Sequence, residues 1–249
     1  MNIEKLSTNW YSHKLGRELQ VARWGHYGQP LILFPTAGGD AEECERFLMI
    51  KVLAPLIEAG RLKVYSCDSL SGQAWINRDA PGAQRSKTQL LFDRFIIEEL
   101  MPVIRKDCGG YKGKFFVSGA SIGAYNAMSV ATRNPEHFST AICMSGTYDL
   151  ESKMNGQIDM DFYFTSPMHF LPNLKESPVL NALREVRFII LCGLGRWESP
   201  EESKRIGDIL RSKGVPTQMD FWGDDCDHDW PTWRRWLPLY LDKLLPAAE

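Results

Sequence analysis

Short apolar runs alternate with longer amphipathic stretches along this chain. Residues 19–24, 30–34, 62–67, 114–118, 139–144, 186–192 and 217–222 are brief and rich in β-branched and aromatic side chains. That pattern reads as buried strand. Gly25-His26-Tyr27-Gly28-Gln29 is a turn between the first two runs, which are therefore expected to pair as an antiparallel hairpin. Helical stretches are predicted over 42–58, where Pro55 is expected to interrupt the helix, and over 87–105, which carries Leu91, Phe95, Leu100 and Ile104. Three more follow over 124–134, stopped by Pro135, over 201–213, closed by Gly214, and over 232–244.

A hairpin followed by alternating helices and strands predicts an α/β fold with a mostly parallel central sheet and helices on both faces. The chain has 249 residues and no linker, repeat or low-complexity tract, so residues 1–249 are expected to form a single domain. The one irregular stretch covers about 147–181 and contains Met154, Asn155, Gly156, Pro167 and Pro172. Such an excursion reads either as a lid or substrate-binding insertion, or as a surface loop with one short helix.

Composition narrows the class without naming a chemistry. Hydrophobic residues make up 44% and charged ones 24%, ordinary for a water-soluble globular chain. A formal net charge of −2 leaves no electrostatic footprint for nucleic acid, and the pair Arg234-Arg235 is no basic cluster. The first residues carry Glu4, Lys5, Lys14, Arg17 and Glu18 instead of an apolar signal-peptide core. No run approaches the ~20 apolar residues that span a bilayer. The expectation is a cytoplasmic protein without a membrane partner; self-association is left open. Cys67, Cys143 and Cys192 lie in or beside apolar runs and are expected to be buried, reduced thiols.

Chemistry enters with Gly119-Ala120-Ser121-Ile122-Gly123, which follows an apolar run and precedes a helical stretch. A G-x-S-x-G on a strand-to-helix turn is the nucleophile elbow of an α/β-hydrolase, holding its serine exposed near the positive end of a helix dipole. The plainer alternative is an unreactive helix-capping serine. A serine nucleophile needs a base, and the base an orienting acid, in the chain order Ser, Asp/Glu, His. Of five histidines, only His228 follows the last predicted strand, so it is the expected base. The acid is expected at Glu198, in the loop Gly193-Leu194-Gly195-Arg196-Trp197-Glu198; Asp149, Asp224, Asp225 and Asp227 are rivals. Two backbone N–H groups should line the oxyanion hole: that of Ile122, and that of Thr36 or Ala37 in the Gly-rich loop after residues 30–34.

Other clusters argue for less. The aspartates around His228 fit no EF-hand spacing, so no metal is expected. Cys226 is too close in sequence to His228 to be aligned with it as a nucleophile. Trp230, Trp233 and Trp236 read as a core-facing stripe on the last helix.

With these motifs assembled, the chain resembles the putative-esterase family of α/β-hydrolases, which includes proteins like esterase D, feruloyl esterases and mycolyltransferases. The likeness rests on Phe34-Pro35-Thr36-Ala37-Gly38-Gly39, the GASIG elbow, Met144-Ser145-Gly146-Thr147-Tyr148-Asp149, the Glu198 loop and His228-Asp229-Trp230. One departure is Pro35-Thr36, where many such esterases carry His-Gly. The resemblance implies a serine esterase acting on a small-molecule ester through an acyl-enzyme, with no cofactor. The same residues would also serve an acyltransferase, and a non-catalytic binding protein could keep the fold.

Overall fold

The structure is a computed structural model that describes residues 3–247. Eight strands form one sheet in the order β1-β2-β4-β3-β5-β6-β7-β8. They are β1 (Lys5–Ser12), β2 (Arg17–Trp24), β3 (Gln29–Phe34), β4 (Leu62–Cys67), β5 (Phe115–Ala120), β6 (Phe138–Met144), β7 (Arg187–Cys192) and β8 (Thr217–Phe221). β1–β2 and β2–β4 pair antiparallel, and every pairing from β4–β3 across to β8 is parallel.

The N-terminal antiparallel hairpin is present, but β1 and β2 make it, closed at Gly16 with φ 65°. The expected partner strands, β2 and β3, do not touch, because β4 lies between them. β2 buries Leu19 and Val21 on one face and Ala22 and Trp24 on the other, so it sits inside the sheet between two neighbours. β1 is an edge strand in which only Ser12 is buried, and it carries no apolar signal to read.

The helices are α1 (Glu43–Arg46), α2 (Met49–Glu58), α3 (Leu70–Ile76), α4 (Gly82–Phe95), α5 (Met101–Asp107), α6 (Ile122–Arg133), α7 (Met160–Thr165), α8 (Pro167–Phe170), α9 (Pro178–Leu183), α10 (Pro200–Ser212) and α11 (Trp230–Leu244). Along the central strands alternate residues enter opposite cores, as a pleated sheet requires. Ile32, Val117, Cys143 and Ile190 meet α4, α6 and α10; Leu31, Phe116, Ile142 and Ile189 meet α2 and α11. Trp233 and Trp236 of the tryptophan stripe are buried in the second core.

The helix predicted over 42–58 does break, but at Leu48, whose φ is 63°, and Pro55 sits inside α2. Pro55 is on the exposed face of that helix, where water can take the carbonyl that proline leaves without a donor. The excursion after β6 holds more structure than one short helix. It carries α7, α8 and α9, and it docks through Tyr125 Oη and Ser129 Oγ, which both donate to the Thr165 carbonyl at 3.0 Å. Ser86 Oγ donates to Asp159 Oδ2 at 2.8 Å, and Asp159 caps α7 by accepting from the Phe162 N–H at 2.7 Å.

Candidate active site

Ser121 stands between the end of β5 and the start of α6 with φ 57° and ψ −123°. A non-glycine residue is rarely held in such a conformation, and the surroundings must hold it there. Its N–H donates to the Met144 carbonyl at 3.0 Å, and its own carbonyl accepts from Ala124 at 3.1 Å and from Thr147 at 3.3 Å. The flanking glycines are required by close approach. A Cβ on Gly119 would run into the backbone of Gly123, and one on Gly123 would lie 2.6 Å from the Pro35 carbonyl oxygen and 2.7 Å from that of Phe34. Gly123→Ala is therefore expected to push the elbow off β3, lowering stability by about 2 kcal/mol or more and cutting activity with it. Urea unfolding beside an ester-hydrolysis assay checks both.

Glu198 follows β7, and its side chain is only 1% exposed. Oε2 lies 3.8 Å from His228 Nδ1, while Oε1 accepts from Ser145 Oγ at 2.6 Å. The Cys192 thiol donates weakly to Oε2 at 3.4 Å. Burial raises the Glu198 pKa, but the His228 imidazole, the Ser145 hydroxyl and the Cys192 thiol outweigh it and hold the carboxyl below its ordinary value. At 3.8 Å the contact between the carboxylate and the imidazole is longer than a hydrogen bond and is electrostatic.

His228 lies in the loop before α11, anchored by its N–H on the Arg196 carbonyl at 3.0 Å and by an edge-on contact with Trp233, ring centroids 5.4 Å apart. With Nδ1 turned toward Glu198, Nε2 is the nitrogen left for a serine hydroxyl. Ser121 Oγ is tied up in no hydrogen bond among the described residues. The rival carboxylates are engaged elsewhere: Asp149 with Arg205 at 2.9 Å, Asp225 with Arg235 at 2.9 Å and Asp227 with Arg196 at 2.6 Å. Asp224 is exposed.

The structure separates the two candidate oxyanion donors in the loop after β3. The Thr36 N–H donates to Glu43 Oε2 at 2.7 Å, so it is already committed. The Ala37 N–H has no partner among the described residues. Ala37 also leans on α3, where a Cβ on Gly72 would lie 2.8 Å from its Cα. Ile122 opens α6, where a backbone N–H has no partner within the helix. Ile122 packs with Trp75, Tyr125, Leu150, Met154 and Phe162 in a small apolar cluster that Ala37 also touches. The excursion thus backs both candidate donors.

Ser145 is the residue that sequence reasoning passed over. It ends β6 at φ 45°, is 2% exposed, and bridges Glu198 to Trp233, whose Nε1 donates to its Oγ at 2.9 Å. Its position just past the strand next to the elbow strand was a usable signal. Ser145→Ala removes a charge-assisted hydrogen bond and strands a buried indole N–H, each worth about 1–3 kcal/mol. We expect kcat/KM to fall by about tenfold or more. The deficit should widen as pH drops, because Glu198 loses a group that depresses its pKa. A pH–rate profile of the variant against wild type reads this directly.

The sheet order, the elbow and the strand-end loops define an α/β-hydrolase. The chain belongs to the family described as "Putative esterase", whose model matches residues 49–244, and it is a carboxylic ester hydrolase by class. No curated protein matches it. Among solved structures it is similar to a ferulic acid esterase, with 17% identity, coverage of 97% of this chain and 99% of the other, and a TM-score of 0.73. It is also similar to the fluorophosphonate-binding serine hydrolase FphF of Staphylococcus aureus, with 18% identity, coverage of 98% and 99%, and a TM-score of 0.70. A third likeness is to MPT51 (FbpC1) of Mycobacterium tuberculosis, with 18% identity, coverage of 100% of each chain, and a TM-score of 0.69. At these identities the likeness is one of fold. No helix among the described residues is long and apolar enough to cross a membrane.

Proposed function

We propose that the chain hydrolyses a small-molecule carboxylic ester through an acyl-enzyme on Ser121, with His228 as base and Glu198 as its orienting acid. The observation that carries the reading is the Ser121 backbone, held at φ 57° between a parallel strand and a helix N-terminus. His228 Nε2 takes the Ser121 proton as Oγ attacks the acyl carbonyl, and the resulting imidazolium faces an ionised, buried Glu198. The N–H groups of Ile122 and Ala37 receive the negative charge on the carbonyl oxygen. His228 then protonates the leaving alcohol, and a water activated by the same imidazole releases the acid. Leu150, Met154 and Phe162 of the excursion over 147–181 pack in one cluster with Ile122, which supports reading the excursion as one wall of the acyl site.

A fluorophosphonate probe tests the reading without a known substrate. Covalent labelling of the elbow peptide at Ser121, found by mass spectrometry, together with turnover of p-nitrophenyl acetate, supports it. A protein that neither labels nor turns over any p-nitrophenyl ester from acetate to octanoate does not work by this mechanism.

A further inference from the structure

From the geometry of the loop after β3 we infer that Glu43 is a positioning residue for the oxyanion hole, which presents the Ala37 N–H by holding Thr36 from behind. The inference rests on the ester-hydrolysis reading above. Glu43 is 6% exposed and has no cationic partner among the described residues. Both of its oxygens are spent on one residue: Oε2 accepts from the Thr36 N–H at 2.7 Å, and Oε1 accepts from Thr36 Oγ1 at 2.6 Å. A buried carboxylate without a countercharge is costly unless donors satisfy it, so the two bonds fix loop and carboxylate together.

The local backbone is built around this clasp. Gly39 has no side chain where a Cβ would run into the Glu43 carboxylate and lie 2.7 Å from the Pro35 side chain. The Gly39 N–H closes back on the Thr36 carbonyl at 3.1 Å, which leaves residues 37 and 38 at the tip of a tight turn. The far end of the loop is pinned separately: Asp68 Oδ1 accepts from the Ala41 N–H at 2.9 Å, and the Ser69 N–H donates to the Gly39 carbonyl at 3.1 Å. Removing Glu43 therefore frees the Thr36 end and leaves the rest anchored. Thr36 meets the carboxylate twice because its hydroxyl donates to Oε1 while its N–H donates to Oε2, and a residue without a hydroxyl would leave Oε1 without this bond.

Because only the N–H groups are aimed at the developing charge, the clasp should matter in the transition state and little in substrate binding. The test compares wild type with Glu43→Ala, Glu43→Gln, Thr36→Val and Thr36→Ser. The readouts are kcat and KM for p-nitrophenyl acetate, the Ki of a trifluoromethyl ketone, and the rate of fluorophosphonate labelling. Glu43→Ala is expected to lower kcat by ten- to a hundredfold with KM changed less than about threefold, and to weaken the ketone by a similar factor. Thr36→Val, which keeps the N–H bond and loses the hydroxyl one, should lose several-fold. Thr36→Ser restores both bonds and should match wild type. Glu43→Gln keeps an acceptor for the N–H and a donor for Oγ1, and should retain most of the activity. If Glu43→Ala and Thr36→Val both keep wild-type kcat and ketone affinity, the inference is wrong. The same holds if the loss is in KM alone. Should Glu43→Ala not fold, Thr36→Val carries the test alone: its several-fold loss in kcat and ketone affinity supports the inference, and wild-type values overturn it. A Ser121→Ala variant that still turned over would instead remove the underlying reading.

Discussion

Ser121→Ala will lower kcat for p-nitrophenyl acetate by about 10⁴-fold or more, with the fold and the thermal midpoint nearly unchanged. A triad nucleophile acts as a unit with its base, and its removal alone costs most of the rate that the whole constellation supplies; a residual activity over water survives from the oxyanion donors and from binding. The small change in stability follows from the site. The Ser121 backbone, not its hydroxyl, makes the bonds to Met144, Ala124 and Thr147. Relief of an oxygen held in an open position can even raise the midpoint slightly. Steady-state kinetics and a thermal melt on the same preparation check both halves. A variant within tenfold of wild type would mean that some other group attacks the ester.

The second large effect belongs to Glu198. Glu198→Gln keeps the shape of the side chain and removes the charge that faces the imidazolium, and a neutral amide can also favour the wrong histidine tautomer; the cost is expected near 10³- to 10⁴-fold in kcat. The pH dependence follows from the direction of its shift. The folded-state pKa of Glu198 lies below its ordinary 4.5. Its contribution to stability is therefore complete above that ordinary value and is lost as pH falls through the lower folded-state one. In Glu198→Gln the low plateau should persist without the stabilising step below pH 4.5. Denaturation midpoints from pH 3 to 7 and a rate profile from pH 5 to 9 separate the two behaviours.

Most of the sheet was legible because β3 to β7 are buried on both faces, and such strands read as continuous apolar runs whichever way they pair. Pairing itself was not legible. Nothing in residues 19–34 says that a strand from 62–67 will enter between β2 and β3, and edge strand β1 pays too little of its surface into the core to be seen. α3 was missed because it is short; its value lies in Gly72 against Ala37, a contact between segments distant in the chain.

The candidate site was legible where chemistry confines residue types to strand ends. Elbow, histidine and acid loop each had a motif or an order rule, and the structure brings Glu198 and His228 within 3.8 Å. What the sequence reading did not single out were the residues that hold those groups. Ser145 and Glu43 are ordinary in composition, and their importance comes from oxygens meeting partners 53 and 7 positions away. Which of Thr36 and Ala37 keeps a free N–H likewise could not be read from the sequence, because it depends on the contact between Thr36 and Glu43.

The sheet order has one more consequence, for how activity appears during folding. The proposed catalytic groups hang from the ends of β3, β5, β7 and β8, and each neighbouring pair among β5 to β8 is parallel, joined by a long crossover. Such pairings close large loops before any contact rewards them, so they form late and together. On this argument His228 is expected to reach Glu198 only once the outermost strand has docked. Enzymatic turnover is thus a reporter for completion of the sheet, and it should lag the recovery of helical signal during refolding.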